Sequence, residues 1–390
     1  MNSHFSFSGQ RWSNLARSKG SMRKGFSLVE VMVAMAILSV LMLIISQMLG
    51  QMQRTWSSSV SKLSHFRDGR RVFDVMKRNL SQATLNTYLR YLYGGGGANP
   101  FSPFGTGANA VETANTMPLQ YVRFSELQFI CGPTGRVLPG GSAATTPGHA
   151  LFFYAPLGFS GTPSNMPSAL NGRGYFVKYS GDGNFRPPFL QGKVSERFRY
   201  RLMEYLLPTE NITVYDNSVP FATYVGKVSQ WAEGNADAWS RPVADNIVGL
   251  YVSPKSPLAV GGGGIVGGGA GGGGGGGRDG RSGIAPDYFF NSADPGFLNG
   301  GAQPPYSHQL PPAVELVMVV IDEQSAVNLA REKGDSAPLN LGDMNLFSAG
   351  ASDNGFRNDL QRLQDYMNEQ KINFRIFTAT VALRNSRWNG

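Results

Sequence analysis

The sequence offers few of the residues from which disulfides, metal sites or cofactor sites are built. Cys131 is the single cysteine, so no disulfide can form within the chain, and we expect a half-buried thiol at the end of a strand. The 4 histidines are scattered singly, without the spacing of metal ligands. Neither the phosphate-binding motif G-x-x-x-x-G-K-[ST] nor a recognisable nucleophile–base pair is present. These absences predict a protein that is not an enzyme and has no cofactor and no bound metal.

Acidic residues are absent from the first 24 positions, which carry the basic residues Arg11, Arg17, Lys19, Arg23 and Lys24. Charged residues make up only 16% of the chain, and the formal net charge is +9. Without the basic residues of this first stretch, the chain has 30 basic residues against 26 acidic ones. Proteins that bind polyanions usually carry a larger excess of basic over acidic residues. The composition therefore does not favour a nucleic acid as partner.

The 20 residues from Phe26 to Ile45 contain a single ionisable side chain, that of Glu30, and no glycine or proline. A helix of this length spans about 30 Å, the thickness of a bilayer's hydrocarbon core. We therefore predict a transmembrane helix over residues 26–55. The basic residues before it predict a cytoplasmic N-terminus and a body beyond the inner membrane. An ordinary secretory signal peptide is disfavoured, because the run is too long and no small-x-small cleavage site follows it.

Glu30 is unusual at the start of such an apolar helix, where a carboxylate is costly unless it has a partner. One interpretation is that it reaches interfacial water or is protonated. Its neighbours favour a more specific one: basic residues precede Gly25, Phe26 follows directly, and Glu30 comes four positions later. This constellation resembles the type III signal of type IV pilins and type II secretion pseudopilins.

The resemblance implies how the N-terminus is processed. A prepilin peptidase would cut between Gly25 and Phe26, removing residues 1–25 as a basic leader. Phe26 would become the N-methylated first residue of the mature chain. Glu30 would then meet the terminal amine of a neighbouring subunit during assembly.

Beyond the membrane run, apolar residues recur every three or four positions between charged ones, which predicts an amphipathic continuation of the helix over residues 56–90. The stripe consists of Val60, Leu63, Phe66, Phe73, Met76, Leu80 and Ala83. Its charged face would meet other subunits, although an ordinary amphipathic core helix explains the stripe equally well. Because the stripe needs an apolar partner, we expect it to lie across an antiparallel sheet that includes segments 124–130, 315–321 and 374–383.

Residues 91–390 are predicted to form a β-rich extracytoplasmic body with long loops rich in Gly and Pro. The predicted strands are 124–130, 151–154, 174–179, 197–202, 211–215, 246–252, 313–321 and 373–383, and residues 353–370 are predicted to be a helix. Arginines alternate with apolar residues in 197–202. Such a basic face suits nucleic acid or lipid headgroups, but a solvated face is more common, and we expect a solvated one here. The tract 261–277 contains 14 glycines, which predicts a disordered insertion over about 258–308. The fold class is α+β, with a long membrane-spanning helix packed on an antiparallel sheet.

Several blocks of the body carry a second resemblance. They are Leu80–Tyr88, Tyr121–Ile130, Glu204–Glu210, Leu310–Glu315 and Thr380–Trp388. Together with the leader they resemble the Verru_Chthon cassette protein C family, and they are weakly similar to the minor pseudopilin J group. The glycine tract looks like an insertion outside this pattern. The resemblance implies a subunit of a pilus-like assembly, and the family itself has no defined activity.

Two functions follow as hypotheses. The first is a structural, minor subunit of a type IV pilus or type II secretion-like pseudopilus, in a cell-surface or periplasmic filament. Its partners would be the prepilin peptidase, other pilin-like subunits and the inner membrane. The alternative is a membrane-anchored extracytoplasmic binding module that engages a nucleic acid, a polysaccharide or a surface without entering a filament.

The first prediction concerns processing. The mature chain should lack residues 1–25 and begin with N-methylated Phe26, because the basic leader and the Gly25–Phe26 junction match the prepilin pattern. Mass spectrometry of the N-terminal peptide from purified membranes tests this directly. An intact leader, or a cut beyond Leu49, would contradict it.

Overall fold

The computed structural model of the chain describes residues 25, 27–93, 118–138, 145–161, 167–214, 236–255, 284–285, 287–293, 303, 306–342, 344–348 and 353–387. The glycine tract at 261–277 lies outside these residues. The chain divides into two compact units, Met1–Ser59 and Val60–Gly390. Helix α1, Leu28–Leu80, contributes residues to both of them.

In the first unit, α1 exposes apolar side chains around its whole circumference. Leu28, Met42 and Met52, for example, are between 64% and 76% exposed. A helix that is apolar on every side is suited to hydrocarbon rather than to water. One segment of the described chain, Leu28–Gln53, is long and apolar enough to cross a membrane. This agrees with the predicted transmembrane helix.

In the second unit, the last turns of α1 pack on strands of the body through one face. The ring of Phe73 lies 6.0 Å from that of Phe377. Gly69 approaches Val320 so closely that a Cβ at this position would lie 3.0 Å from Val320 Cγ2. The side chains at 57–65 lie outside the described residues. Phe73 of the stripe and the nearby Gly69 therefore pack on the segments 374–383 and 315–321, as predicted for this part of the helix.

The helix ends at Leu80, well before the predicted end at residue 90. The Thr84 N–H donates to the carbonyl oxygen of Tyr154 at 2.8 Å, so the backbone after the helix is bound to the sheet. Tyr88–Tyr93 then forms strand β1, which pairs antiparallel with β2, Pro118–Phe124. The prediction was wrong here because pairing with a distant strand outweighed the local helical pattern.

The remaining strands form two larger antiparallel sheets. Their bounds are β3 Ile130–Pro133, β4 His149–Pro156, β5 Leu170–Ser180, β6 Arg199–Leu207, β7 Ser240–Asp245, β8 Ile247–Lys255, β9 Phe290–Asn291, β10 Ala313–Ile321 and β11 Phe374–Ala382. One sheet has the order β7-β6-β5-β4-β3-β9, and the other has the order β11-β10-β8. The most apolar predicted strand, β10, is indeed central. The α+β class and the antiparallel body are confirmed.

Both faces of the six-stranded sheet are buried. On β4, Leu151 and Phe153 enter the main core, which they share with β8 and β10. The alternating residues Phe152 and Tyr154 enter a second, smaller core on the opposite face. Strand side chains point alternately to the two faces of a sheet, so an apolar run such as β4 is what a doubly covered strand requires.

Three helices complete the described body. They are α2 Thr134–Val137, α3 Glu323–Lys333 and α4 Asp353–Glu369. The predicted helix 353–370 is confirmed as α4, and its Leu363 and Met367 are buried. Helix α3 was not predicted, although its start has a recognisable signal: Asp322 Oδ1 accepts from the Ser325 N–H at 2.9 Å.

Two predicted strands are absent. Segment 124–130 bends between β2 and β3, because Ser125 Oγ accepts from the Leu127 N–H at 3.1 Å and so replaces a strand partner. In segment 211–215, the described residues contain the end of a 3₁₀ turn, Thr209–Asn211, instead of a strand. In both places a short polar turn interrupts an apolar pattern.

Two further expectations need correction. The predicted insertion 258–308 includes residues that belong to the core: Tyr288, Phe290 and Ser307 are buried, and Phe290–Asn291 is strand β9. Pairing of β9 with β3 supplies contacts that the composition of this segment did not reveal. Cys131 is fully buried rather than half-buried, because β3 lies between β4 and β9.

The second prediction concerns the close approach of α1 to β10. Gly69→Val should lower the free energy of unfolding of the body by about 1–3 kcal/mol, because its methyl groups would overlap Val320 in a packed core. Arg70→Val is the matched control, since the Arg70 side chain is 74% exposed. Urea unfolding of the full chain in detergent compares the two. Equal stability of both variants would contradict the packing described.

Candidate functional site

The predicted processing site lies at the start of α1. Gly25 is exposed, and nothing lies within 4 Å of the position that a Cβ would occupy there. Phe26 lies outside the described residues, so cleavage at the Gly25–Phe26 junction and methylation of Phe26 stay predictions. Ser27 caps the helix, because its Oγ accepts a hydrogen bond from the Glu30 N–H at 3.2 Å. The cap satisfies one of the backbone donors that a helix start leaves without a partner.

Glu30 is exposed in the first turn of α1. Ser27 and Glu30 have the S-x-x-E spacing of a capping box. A carboxylate in the first turn also interacts favourably with the positive end of the helix dipole. The structure thus shows a local reason for a carboxylate at this position, and the assembly role of Glu30 stays a prediction.

Comparison with protein families identifies the N-terminal segment. The family model of the prokaryotic N-terminal methylation motif matches residues 20–46, which include Gly25, Phe26 and Glu30. The N-terminus is that of a type IV pilin-like precursor. Comparison with curated proteins and with solved structures finds no match for the chain. The resemblances of the body to the Verru_Chthon cassette protein C family and to pseudopilin J therefore stay predictions.

The pilin-like motif and the apolar helix occupy the same part of the chain. The motif covers 20–46, and the membrane-compatible segment is Leu28–Gln53. Together they indicate a single-pass membrane anchor processed by a prepilin peptidase. A pilin-like N-terminus also points to a structural protein rather than an enzyme.

The arginines of β6 are not solvated, contrary to the expectation from their alternation. The Arg199 guanidinium is held by Glu323 Oε1 at 3.0 Å, and the Arg199 side chain is only 7% exposed. Arg197 Nη2 lies 3.2 Å from the same oxygen, while Asn246 Nδ2 donates to Glu323 Oε2 at 2.8 Å. Burial alone would raise the pKa of Glu323, but the hydrogen bonds from Asn246 and Arg199 lower it below its usual range.

Arg201 is held in a similar way on the same strand. Its Nε lies 3.0 Å from Asp245 Oδ1, and its Nη2 donates to the Arg197 carbonyl oxygen at 2.9 Å. The Arg201 side chain is 4% exposed. A buried charge is tolerated when it is paired and hydrogen-bonded. These arginines therefore join β6 to α3 and β7, and sequence alternation alone could not reveal the distant carboxylates.

His149 is a core residue of the body. Its Nδ1 accepts from the Val252 N–H at 3.0 Å, and its Nε2 donates to the Phe347 carbonyl oxygen at 2.8 Å. Burial lowers the pKa of His149 to about 4, although the hydrogen bond donated to the Phe347 carbonyl oxygen acts in the opposite direction. The neutral ring thus joins β4 to β8 and to a distant loop.

His308 plays a comparable role near the start of β1. Its Nδ1 accepts from the Ser125 N–H at 3.2 Å, and its carbonyl oxygen accepts from Thr87 Oγ1 at 2.7 Å. Burial lowers its pKa to about 4, and the positive charge of Arg123 lowers it further. His308 therefore anchors the segment before β10 to β2.

No metal or nucleophile site emerges from the part of the chain that the structure describes. Among those residues, no group of 3 or more His, Cys, Asp and Glu side chains could hold a metal ion. Cys131 is fully buried, and burial raises the pKa of its thiol well above the usual range. A thiol in such surroundings stays protonated and unreactive.

The third prediction concerns pH. His149 and His308 have pKa values of about 4 in the folded state, below the ordinary 6.5, so the unfolded chain binds more protons between these values. Stability should therefore fall as the pH is lowered from about 6.5 to about 4, by roughly 3 kcal/mol for each histidine. Urea unfolding of the detergent-solubilised chain across this range measures the slope.

The variant that tests this slope is His308→Asn. Asparagine tolerates the positive φ of 54° at this position and keeps an acceptor for the Ser125 N–H without titrating. The slope should decrease by about 1.4 kcal/mol per pH unit in the steepest part of the range. An unchanged slope would show that His308 is protonated to the same extent in both states.

Proposed function

We propose that the protein is a minor subunit of a type IV pilus or type II secretion-like pseudopilus, anchored in the inner membrane. The methylation motif at residues 20–46 is the observation that supports this most strongly. Processing by a prepilin peptidase removes residues 1–25 and leaves methylated Phe26 as the first residue. The basic residues before the apolar helix favour a cytoplasmic leader and an extracytoplasmic body.

Cleavage at the Gly25–Phe26 junction creates a positive amine next to the helix start. That amine lies one helical turn before Glu30 in sequence, so the two groups share roughly the same face of the helix. Pairing within one chain would merely neutralise the carboxylate. Pairing between chains would fix the axial stagger of neighbouring subunits, and this makes Glu30 an assembly residue.

The exposed apolar surface of α1 supports packing of this helix against other pilin-like subunits. Apolar side chains surround it from Leu28 to Gln53. In a membrane, lipid tails cover such a surface, whereas outside the membrane the same surface must be covered by other apolar helices. A filament core of pilin-like helices provides that cover.

The size of the body supports a minor position in the filament. The second compact unit runs from Val60 to Gly390, which is more than a repeating major subunit needs. A subunit at a rare or terminal position has fewer neighbours and accommodates a large body more easily. The major partners are then smaller pilin-like subunits of the same filament.

The fourth prediction separates assembly from anchoring. Glu30→Gln removes the charge at constant size. It keeps the hydrogen bond from the backbone N–H of residue 30 to Ser27 Oγ. Membrane insertion should persist or improve, because burying a neutral amide in hydrocarbon costs less than burying a carboxylate. Cleavage should also persist, since Gly25 is unchanged. Crosslinking between neighbouring subunits should fall about tenfold or more, as expected for loss of a desolvated ion pair.

Ser27→Ala is the matched control. It removes the helix cap and retains the Glu30 carboxylate, so it should assemble nearly as well as the parent chain. Equal crosslinking of Glu30→Gln and the parent would mean that the carboxylate is only a tolerated interfacial residue. Equal losses in both variants would assign the effect to the helix start instead of the charge.

A further inference from the structure

The loop between β5 and β6, residues 181–198, exposes several large apolar side chains. Phe185, Phe189 and Val194 are 45%, 68% and 52% exposed. Two short 3₁₀ turns carry the two phenylalanines. Apolar side chains scattered singly over a surface are common, but three of them on one short loop indicate a partner.

Contacts within the loop order its backbone. Asp182 Oδ1 accepts from the Arg197 N–H at 2.8 Å and lies 2.8 Å from Arg186 Nη2. The Arg186 guanidinium also donates to the carbonyl oxygens of Val194 and Ser195, at 2.5 Å and 2.7 Å. The Arg186 side chain is only 9% exposed. Arg186 thus ties the two halves of the loop together, so the apolar side chains project from an ordered backbone.

The loop lies at the C-terminal end of β10. Arg197 Nη2 is 3.2 Å from Oε1 of Glu323, a residue that follows β10 almost directly. Helix α1 reaches the same end of the strand, since Gly69 lies against Val320. The loop and this part of α1 are therefore found at one end of the body.

A contact at the other end of β10 gives the direction of α1. The carbonyl oxygen of Ser81, which follows the helix directly, accepts from the Arg384 N–H at 3.3 Å. Arg384 comes after the end of β11, and β11 pairs antiparallel with β10, so Arg384 lies near the start of β10. Helix α1 therefore enters the body at the end that carries the 181–198 loop and finishes at the opposite end.

The part of α1 that precedes this entry is the membrane-compatible segment Leu28–Gln53. About a dozen residues connect Gln53 to Phe66, and a chain of that length spans at most about 45 Å even when it is fully extended. A bilayer that holds the anchor is thus within reach of this end of the body. Because the tether keeps the two close, a small contact is sufficient to hold them together.

The size and composition of the exposed patch suit a lipid surface. Three side chains offer much less area than the roughly 800 Å² that each partner of a stable protein–protein interface buries. Phenylalanine side chains enter the boundary between headgroups and acyl chains, to a depth of about 5–10 Å. Lys193 is exposed on the same loop, and its long stem allows the ammonium group to reach headgroup phosphates.

We propose that the 181–198 loop is a second membrane contact of this protein, beside its transmembrane anchor. Phe185, Phe189 and Val194 enter the lipid surface, and Lys193 binds headgroup phosphates. The contact holds the body against the bilayer and restricts the directions in which the body can point. This inference goes beyond the filament role proposed above, since it needs the membrane anchor and does not depend on assembly.

The fifth prediction uses a fluorescent reporter in the full chain. Cys131, the single cysteine, is fully buried, so a cysteine introduced at the surface is labelled selectively. Gln191→Cys, at an exposed loop position, carries an NBD label, and single chains are placed in nanodiscs of phosphatidylethanolamine and phosphatidylglycerol. A doxyl nitroxide near the headgroup end of the acyl chains should quench this label at least about twofold more than a label at Arg384→Cys, because the loop reaches a depth of about 5–10 Å.

Arg384 is the matched reporter position, since it is exposed and lies at the opposite end of the body. Equal quenching of the two labels would overturn the proposal. A shift of the Gln191→Cys label to shorter emission wavelength without quenching by the nitroxide would show that protein covers the loop instead of lipid. That result would overturn the proposal as well.

A second variant tests the apolar side chains themselves. With the label at Gln191→Cys, Phe189→Asp should reduce quenching to the level seen at Arg384→Cys, because a carboxylate is costly to place in lipid. Leu119→Asp is the control, since it removes a side chain that is 62% exposed on β2 and should leave quenching unchanged. Equal losses in both variants, with the circular dichroism spectrum of the parent chain, would overturn the assignment to Phe189. Processing at Gly25 and crosslinking through Glu30 are measured separately, so failure of this proposal is distinguishable from failure of the filament role.

Discussion

Burial of strand β10 on both of its faces is the constraint on which the body depends. Residues from Leu316 to Ile321 are all buried, so apolar groups must cover the strand from two sides. The end of α1 supplies part of that cover through Gly69 and Phe73, and β8 lies beside it within the same core. Because the chain has no disulfide, packing of this kind and hydrogen bonds must hold the body together. The close approach at Gly69 shows how little spare volume this packing leaves.

Polar groups inside the body are accommodated by pairing. Arg199 and Glu323 connect β6 to the start of α3, and His149 connects β4 to two backbone segments. Each group would be costly to bury alone, and each is buried next to the partner that its chemistry requires. Burial accounts for the lowered pKa of His149, and the hydrogen bonds from Asn246 and Arg199 account for the lowered pKa of Glu323. The shifted pKa values of His149 and Glu323 therefore occur where side chains connect separate elements of the fold.

The N-terminal helix is suited to hydrocarbon, whereas the body is folded around a core of its own. Its apolar residues surround the helix from Leu28 to Gln53, and the single carboxylate of the run stands in the first turn. Ser27 caps this turn, so the helix start is ordered by its own residues. In the proposed filament role, assembly depends on this helix start.

The sequence by itself determined the features that arise from local pattern. The transmembrane run, the helix 353–370 and the central strand 313–321 were predictable from composition and period. The prepilin-type signal around Gly25 and Glu30 was predictable from its resemblance to the signal of pilins and pseudopilins. Only the tertiary structure decided the rest. It ended α1 at Leu80, formed β1 from residues assigned to the helix and the loop after it, and buried Arg199 next to Glu323. The physical reason is that these outcomes depend on partners far away in the chain, whose pairing energy exceeds the local preferences that a sequence pattern records.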